Sequence, residues 1–270
     1  MLRHRSLATG VLITGLLLLV LAAAPLLTSA DPNSQDPMLS FSVPSWEHLM
    51  GADAFGRDLF ARVLYGGRTT ILASLCVVLL GGVAGTTLGV IAGYAGGVVG
   101  FVIMRLVDLM LAFPGILLAL AVSAVLGPGL ENGVLAIAVV LTPIYARLVE
   151  GATAEVRHLP YVDAAVTLGA GAPRISLTHI LPNVSPGIIV LTTTWLGIAV
   201  LWIAALGFIG VGVQPPLPEW GAILNDGQNY ITLAWWITVF PGVFLALLVI
   251  GVNLIGDGLR DQLDPTLVRS

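Results

Sequence analysis

"YVDAAVTLGAGAPRISLTHILPN", residues 161–183, interrupts a chain that otherwise reads as compatible with lipid. It carries Asp163, Arg174, His179 and Asn183, with glycines and prolines between them. Pro160 suits the first turn of a short helix, where no amide donor is needed, and Gly169 suits its end. Pro173 opens a second short helix, expected to stop near Pro182. Ala164 and Ala165 give the first helix a nearly bare surface, which admits close approach by another body. Such a polar elbow fits a docking knob for a soluble partner, and it equally fits an ordinary solvated loop. The residues by themselves leave both open.

The surroundings of the elbow set the fold class. Of 270 residues, 57% are hydrophobic and 10% charged, against about 25% charged in a soluble domain. Several runs reach the roughly 20 apolar residues needed to cross a bilayer. Six spans are expected, at about 6–28, 69–94, 98–126, 131–149, 187–212 and 233–256. A soluble core is excluded because soluble helices keep a polar face and these runs have none. The chain reads as an all-α polytopic membrane protein embedded in a lipid bilayer.

Charge adds orientation. The chain has no Lys, and its scattered arginines form no polybasic patch, which argues against a nucleic-acid partner. Arg3, Arg5, Arg105, Arg147, Arg157, Arg174, Arg260 and Arg269 fall on one side of the six-span scheme. Arg57, Arg62 and Arg68 fall on the other, beside Asp53 and Asp58. The excess places both termini and the elbow inside, by the positive-inside rule. The first span follows a basic start and precedes "TSA", but it exceeds the 7–15-residue core of a signal peptide. It reads as a retained anchor. The expected division is an anchor and extracytoplasmic segment at 1–68, a membrane domain at 69–257 containing the 150–186 elbow, and a tail at 258–270.

Within the spans, Gly81, Gly85, Gly89, Gly93 and Gly97 recur every four residues. That places them on one helical face, a small-residue groove for close packing against another helix. Glycine richness without a partner is the alternative. Arg105 and Asp108 lie three apart and are expected to pair, as a structural pair rather than an ion pathway. Pro114 and Pro143 should bend their helices. Cys76 lies in an apolar run and reads as a small buried hydrophobe.

Catalytic devices are missing from the sequence. His4, His48, His158 and His179 lie at the terminus or in loops, and no HExxH or paired intramembrane Asp appears. There is no GxxxxGK[ST], so the chain does not bind ATP by that device. It reads as no enzyme, with no cofactor or metal of its own.

The elbow resembles the EAA coupling loop of permease subunits in bacterial ABC importers. Asp163-Ala164-Ala165 aligns with EAA, Gly169 follows at the family spacing, and Leu181-Pro182 closes the motif. Asp163 stands in place of Glu, and His179 takes the usual Ile position, as in the peptide-importer branch with its "HILPN". "GADAFGRDLFARVLYGGR" (51–68), "AGYAGG" (92–97), "MRLVDLMLAFPGILLAL" (104–120), "LGPGLEN" (126–132), "YARLVEG" (145–151), "ALGFIGVGVQPPLPEWGAIL" (205–224) and "NLIGDGLRDQLDP" (253–265) extend the likeness. They resemble the dipeptide/oligopeptide/nickel permease family, most of all its C-type subunit.

The resemblance implies a six-helix, MetI-like type I importer permease in the bacterial inner membrane. It implies a heterodimer with a second homologous permease, two ATPase domains holding ATP and Mg, and an extracytoplasmic substrate-binding protein that delivers a peptide. Nickel is the alternative cargo. An intramembrane enzyme or an autonomous channel is the rival of another class. Asp163, Ala164, Ala165, Gly169, His179, Leu181 and Pro182 are implied to carry the coupling.

Overall fold

The computed structural model describes residues 3–263, with side chains described over 6–262. The side chains of Arg3, His4 and Arg5, all of Arg269 and the end of the 258–270 tail lie outside the described residues. The described chain is helical, in the order α1 (Arg3–Ala22), α2 (Ala24–Leu27), α3 (Leu59–Ala95), α4 (Gly97–Leu111), α5 (Gly115–Leu126), α6 (Leu130–Val156), α7 (Pro160–Thr167), α8 (Ala172–Ile175), α9 (Leu181–Ile209), α10 (Trp220–Gln228) and α11 (Trp236–Leu263).

Among the described residues, four helices are long and apolar enough to cross a membrane: Leu59–Ala95, Leu130–Val156, Ala172–Ile209 and Trp236–Gln262. The expected single span at 98–126 is instead broken. α4 and α5 meet at 95° across Ala112–Pro114 and make a fifth span if counted together. Proline disfavours helical backbone in the residue before it and removes a donor, so the helix ends there and restarts in a new direction. The apolar part of α1, Ser6–Ala22, is shorter than these.

α3 begins ten residues before the expected start at 69. Asp58 caps it, accepting from the Ala61 amide at 2.8 Å. Its first turns bury Leu59, Val63 and Leu64 beside Trp220, Leu21 and Trp236. Burial of this apolar face overrides the polar look of "RDLFARVLYGGR". At 37 residues, α3 is about 55 Å long and outruns a hydrocarbon core of about 30 Å.

The glycines explain the central packing. β-Carbons added at Gly81, Gly89 and Gly93 would lie 2.7–2.8 Å from Leu141, Val149 and Thr153 side chains, and Gly85 faces Thr142 and Tyr145. Rising numbers on α3 meet rising numbers on α6, so the two run parallel with backbones nearly touching. Gly97 does not belong to this face. It has φ +50° and starts α4, and a β-carbon added there would meet nothing within 4 Å.

α1 runs antiparallel to α11. Gly10 lies against Gly251 and Ile255, and Gly258 against Leu7. The 257/258 boundary therefore falls inside a helix packed on α1. Leu17, Leu21 and Ala24 are buried in the core with Val200, Leu248 and Val252. α9 runs antiparallel to α11, with Gly197 at Asn253 and Gly256 at Thr193. The start of α1, the end of α11 and the elbow thus share one end of the bundle.

The candidate coupling elbow

α7 is built as the sequence suggests. Pro160 occupies its first turn and Leu159, in extended conformation, precedes it. At the other end the Ala170 amide donates to the Ala165 carbonyl at 3.0 Å and the Gly169 amide to the Val166 carbonyl at 2.9 Å. This pair of bonds is a Schellman closure, which needs a left-handed residue; Gly169 has φ +84°.

One face of α7 is anchored. Val162 is 1% exposed and packs with Val149, Ile175, Ile180 and Val184. The other face is open. Asp163, Ala164, Val166 and Leu168 are exposed and Ala165 is half-buried. Leu168, at 88% exposure, presents an apolar side chain at the tip with no intramolecular cover, a feature that marks interaction surface when it joins a larger bare patch.

The second elbow helix does not stop near Pro182. α8 continues through a π turn, Ser176–Ile180, into α9 as one helix over Ala172–Ile209. The Leu181 amide donates to Ser176 O, five residues back. The wider turn carries the helix past Pro182, which has no amide to give. Pro186 similarly leaves the Pro182 carbonyl without its helical donor, and Ser185 Oγ supplies one at 2.9 Å.

His179, Leu181 and Pro182 therefore lie in a continuous helix rather than at a loop closure. His179 sits beside Tyr161 of α7, ring centroids 5.9 Å apart. Asn183 Nδ2 donates to Tyr161 Oη at 3.0 Å and to the His179 carbonyl at 2.6 Å. Arg157, just before α7, donates from Nη1 to the carbonyls of Gly93 and Tyr94 at 3.0 Å and so caps α3. Sequence reasoning names Asn183 and Arg157 without these roles and does not single out Tyr161. Their signal was present, since each is a hydrogen-bonding side chain beside a proline- or glycine-marked break.

The Arg105–Asp108 pair is replaced. Asp108 pairs with Arg147 of α6, and Arg105 lies over the Phe101 ring at 5.2 Å. Spacing of three puts both residues on one face of α4, but α6 packs there and brings its own cation. Cys76 is exposed rather than buried.

The opposite end is tied by polar contacts. Arg57 donates from Nε to Asp53 at 2.6 Å and from Nη2 to Asp226 at 2.9 Å. Glu219 caps α10, accepting from the Ala222 amide at 3.0 Å and from Thr70 Oγ1 of α3 at 2.8 Å. Glu219 is fully buried, and burial pushes its carboxyl above the ordinary range, with the Gly221 amide, Thr70 and the Ala222 amide opposing.

Comparison with known proteins places this geometry. The model of a family described as binding-protein-dependent transport system inner membrane component matches residues 85–269. The chain is 45% identical over 258 residues to the dipeptide transport system permease protein DppC of Alkalihalophilus pseudofirmus, covering 96% of this chain and 85% of that protein. It is 45% identical to the probable D,D-dipeptide transport system permease protein DdpC of Escherichia coli, over 95% of this chain and 86% of that protein. It is 40% identical to the glutathione transport system permease protein GsiD of Pectobacterium atrosepticum, over 98% and 88%. Among solved structures, a chain of the inward-facing MetNI methionine ABC transporter superposes with a TM-score of 0.59 at 22% identity, covering 76% of this chain and 98% of that one. That likeness shows the fold, which is MetI-like and helical over the described residues.

Proposed function

The chain belongs to the family of binding-protein-dependent transport system inner membrane components, and from that membership we propose that it is the C-type permease subunit of an ATP-driven importer of di- or oligopeptides. The near end-to-end likeness to permeases named for dipeptides, D,D-dipeptides and glutathione supports a peptide cargo over nickel. The chain forms the pathway with a second, homologous permease and makes or breaks no bond itself. ATP and Mg belong to two partner ATPase domains, and an extracytoplasmic binding protein delivers the peptide.

One observation carries the coupling assignment. α7 is fastened on its inner face by Val162, closed by a Schellman turn at Gly169, and bare on its outer face at Ala164 and Leu168. An uncovered short helix at the end shared by the start of α1 and the end of α11 suits insertion into a cleft on an ATPase. Arginine placement supports a cytoplasmic position for that end. ATP-driven closure of the ATPase pair then shifts the permeases between two openings, a population shift driven by differential binding.

The test is uptake by proteoliposomes containing both permeases, the ATPases and the binding protein. ATP-dependent accumulation of radiolabelled alanyl-alanine is expected, without accumulation of nickel. Nickel uptake with no peptide uptake would overturn the cargo, and conduction by this chain alone would overturn the importer reading.

A further inference from the structure

The elbow and the span that follows it are joined by more than chain connectivity. α7 and α9 are separated in sequence by Leu168–Ile180, a stretch with a left-handed glycine and a π turn. Either feature is a place where a helix assembly can flex. A push delivered to α7 would be dissipated there if only the backbone carried it. Three side chains bypass the stretch. Tyr161 projects from the first turn of α7 and meets the His179 ring at 5.9 Å. Its hydroxyl accepts from Asn183 Nδ2 at 3.0 Å, and the same amide group donates to the His179 carbonyl at 2.6 Å. Asn183 thus holds α7 with one bond and bridges from the π turn into α9 with the other.

We propose that Tyr161, His179 and Asn183 form a clamp that makes the coupling helix and α9 move as one lever. The proposal rests on the coupling reading above and names the residues that transmit motion rather than those that dock. These are positioning residues. The clamp also gives a physical use to His179, the residue that departs from the general motif, because its half-buried ring lies beside that of Tyr161. Val162, Ile175, Ile180 and Val184 pack beneath the same junction. Apolar packing holds the helices together, while the directional bond from Asn183 fixes their angle.

The test uses the complete transporter in proteoliposomes, with its second permease, ATPases and binding protein. Three quantities are read separately: ATPase co-purification, ATP hydrolysis, and uptake of radiolabelled alanyl-alanine per ATP. Tyr161→Phe keeps the ring and removes only the hydroxyl; Asn183→Ala removes both bonds. Both should retain co-purification and hydrolysis. Uptake per ATP should fall about fivefold in Tyr161→Phe, the factor that one ordinary hydrogen bond is worth, and at least as far in Asn183→Ala. An unchanged ratio in Tyr161→Phe would overturn the clamp, as would loss of ATPase co-purification in that variant, which would make Tyr161 a docking residue. Should Asn183→Ala fail to insert, Tyr161→Phe decides alone. Leu168→Asp separates the two readings. If it leaves ATPase association intact, the coupling assignment itself fails. If it abolishes association while the clamp variants transport normally per ATP, only the clamp fails.

Discussion

Gly85 faces Tyr145 so closely that a β-carbon added to it would lie 2.5 Å from the tyrosine's own. There is no room for a side chain without moving α3 away from α6. Gly85→Leu and Gly89→Leu should each destabilise the protein by about 1–3 kcal/mol, the usual cost of overpacking. A β-carbon added to Gly151, on the exposed face of α6, would meet nothing within 4 Å, and Gly151→Ala should stabilise by about 0.5–1 kcal/mol. Thermal unfolding in detergent measures all three. Equal melting temperatures for Gly85→Leu and the wild type would show that the helices do not pack this way.

The Asp108–Arg147 contact replaces the pairing suggested by local spacing. A double-mutant cycle with Asp108→Asn and Arg147→Gln should give a coupling of up to about 1 kcal/mol, since both side chains are exposed. The same cycle between Asp108 and Arg105 should give close to none. The reverse ranking would restore the pair within α4.

At the elbow, Gly169→Val forces a branched side chain into a left-handed conformation, at a cost of roughly 1–2 kcal/mol. Ala165→Trp fills the bare surface. Both variants should insert and pair with the second permease, yet lose ATPase co-purification or coupled uptake. Asp163→Asn should be mild, because the carboxylate lies exposed in the first turn of α7, where its dipole interaction is worth about 0.3–1 kcal/mol. Normal co-purification and uptake in both bulky variants would remove the elbow from the coupling path.

Orientation is read with thiols. In a Cys76→Ser background, an impermeant maleimide applied to intact cells should label Ser45→Cys and not Ser176→Cys. Labelling of Ser176→Cys from outside would invert the topology and with it the coupling role.

Glu219 predicts a pH effect. Burial raises its carboxyl above the ordinary value of 4.5, so folding favours the neutral form. Its contribution to stability is fully present below that ordinary value and is lost as pH rises through the raised one. Glu219→Gln keeps the shape and removes the titration. Melting temperatures followed upward from pH 4 should fall more for the wild type than for Glu219→Gln. Parallel profiles would show that the carboxyl titrates as an ordinary one.

The sequence by itself determined the class of the protein, because apolar run length is a property of the chain alone and water or lipid reads it directly. It pointed to the glycine face as far as Gly93, since small residues four apart lie near one another on a helix, and to the ends of α7, since proline fixes φ and glycine admits a left-handed closure. Tertiary structure decided what those local signals meet. Which cation reaches Asp108 depends on α6, not on the spacing within α4. Whether "RDLFARVLYGGR" is helix depends on Trp220, more than 150 residues away, whose indole nitrogen donates to the Val63 carbonyl at 2.9 Å. Whether a helix passes Pro182 depends on a π turn and on side chains that satisfy the carbonyls proline leaves open. Distant contacts of this kind carry no periodicity, and only the folded chain brings their partners together.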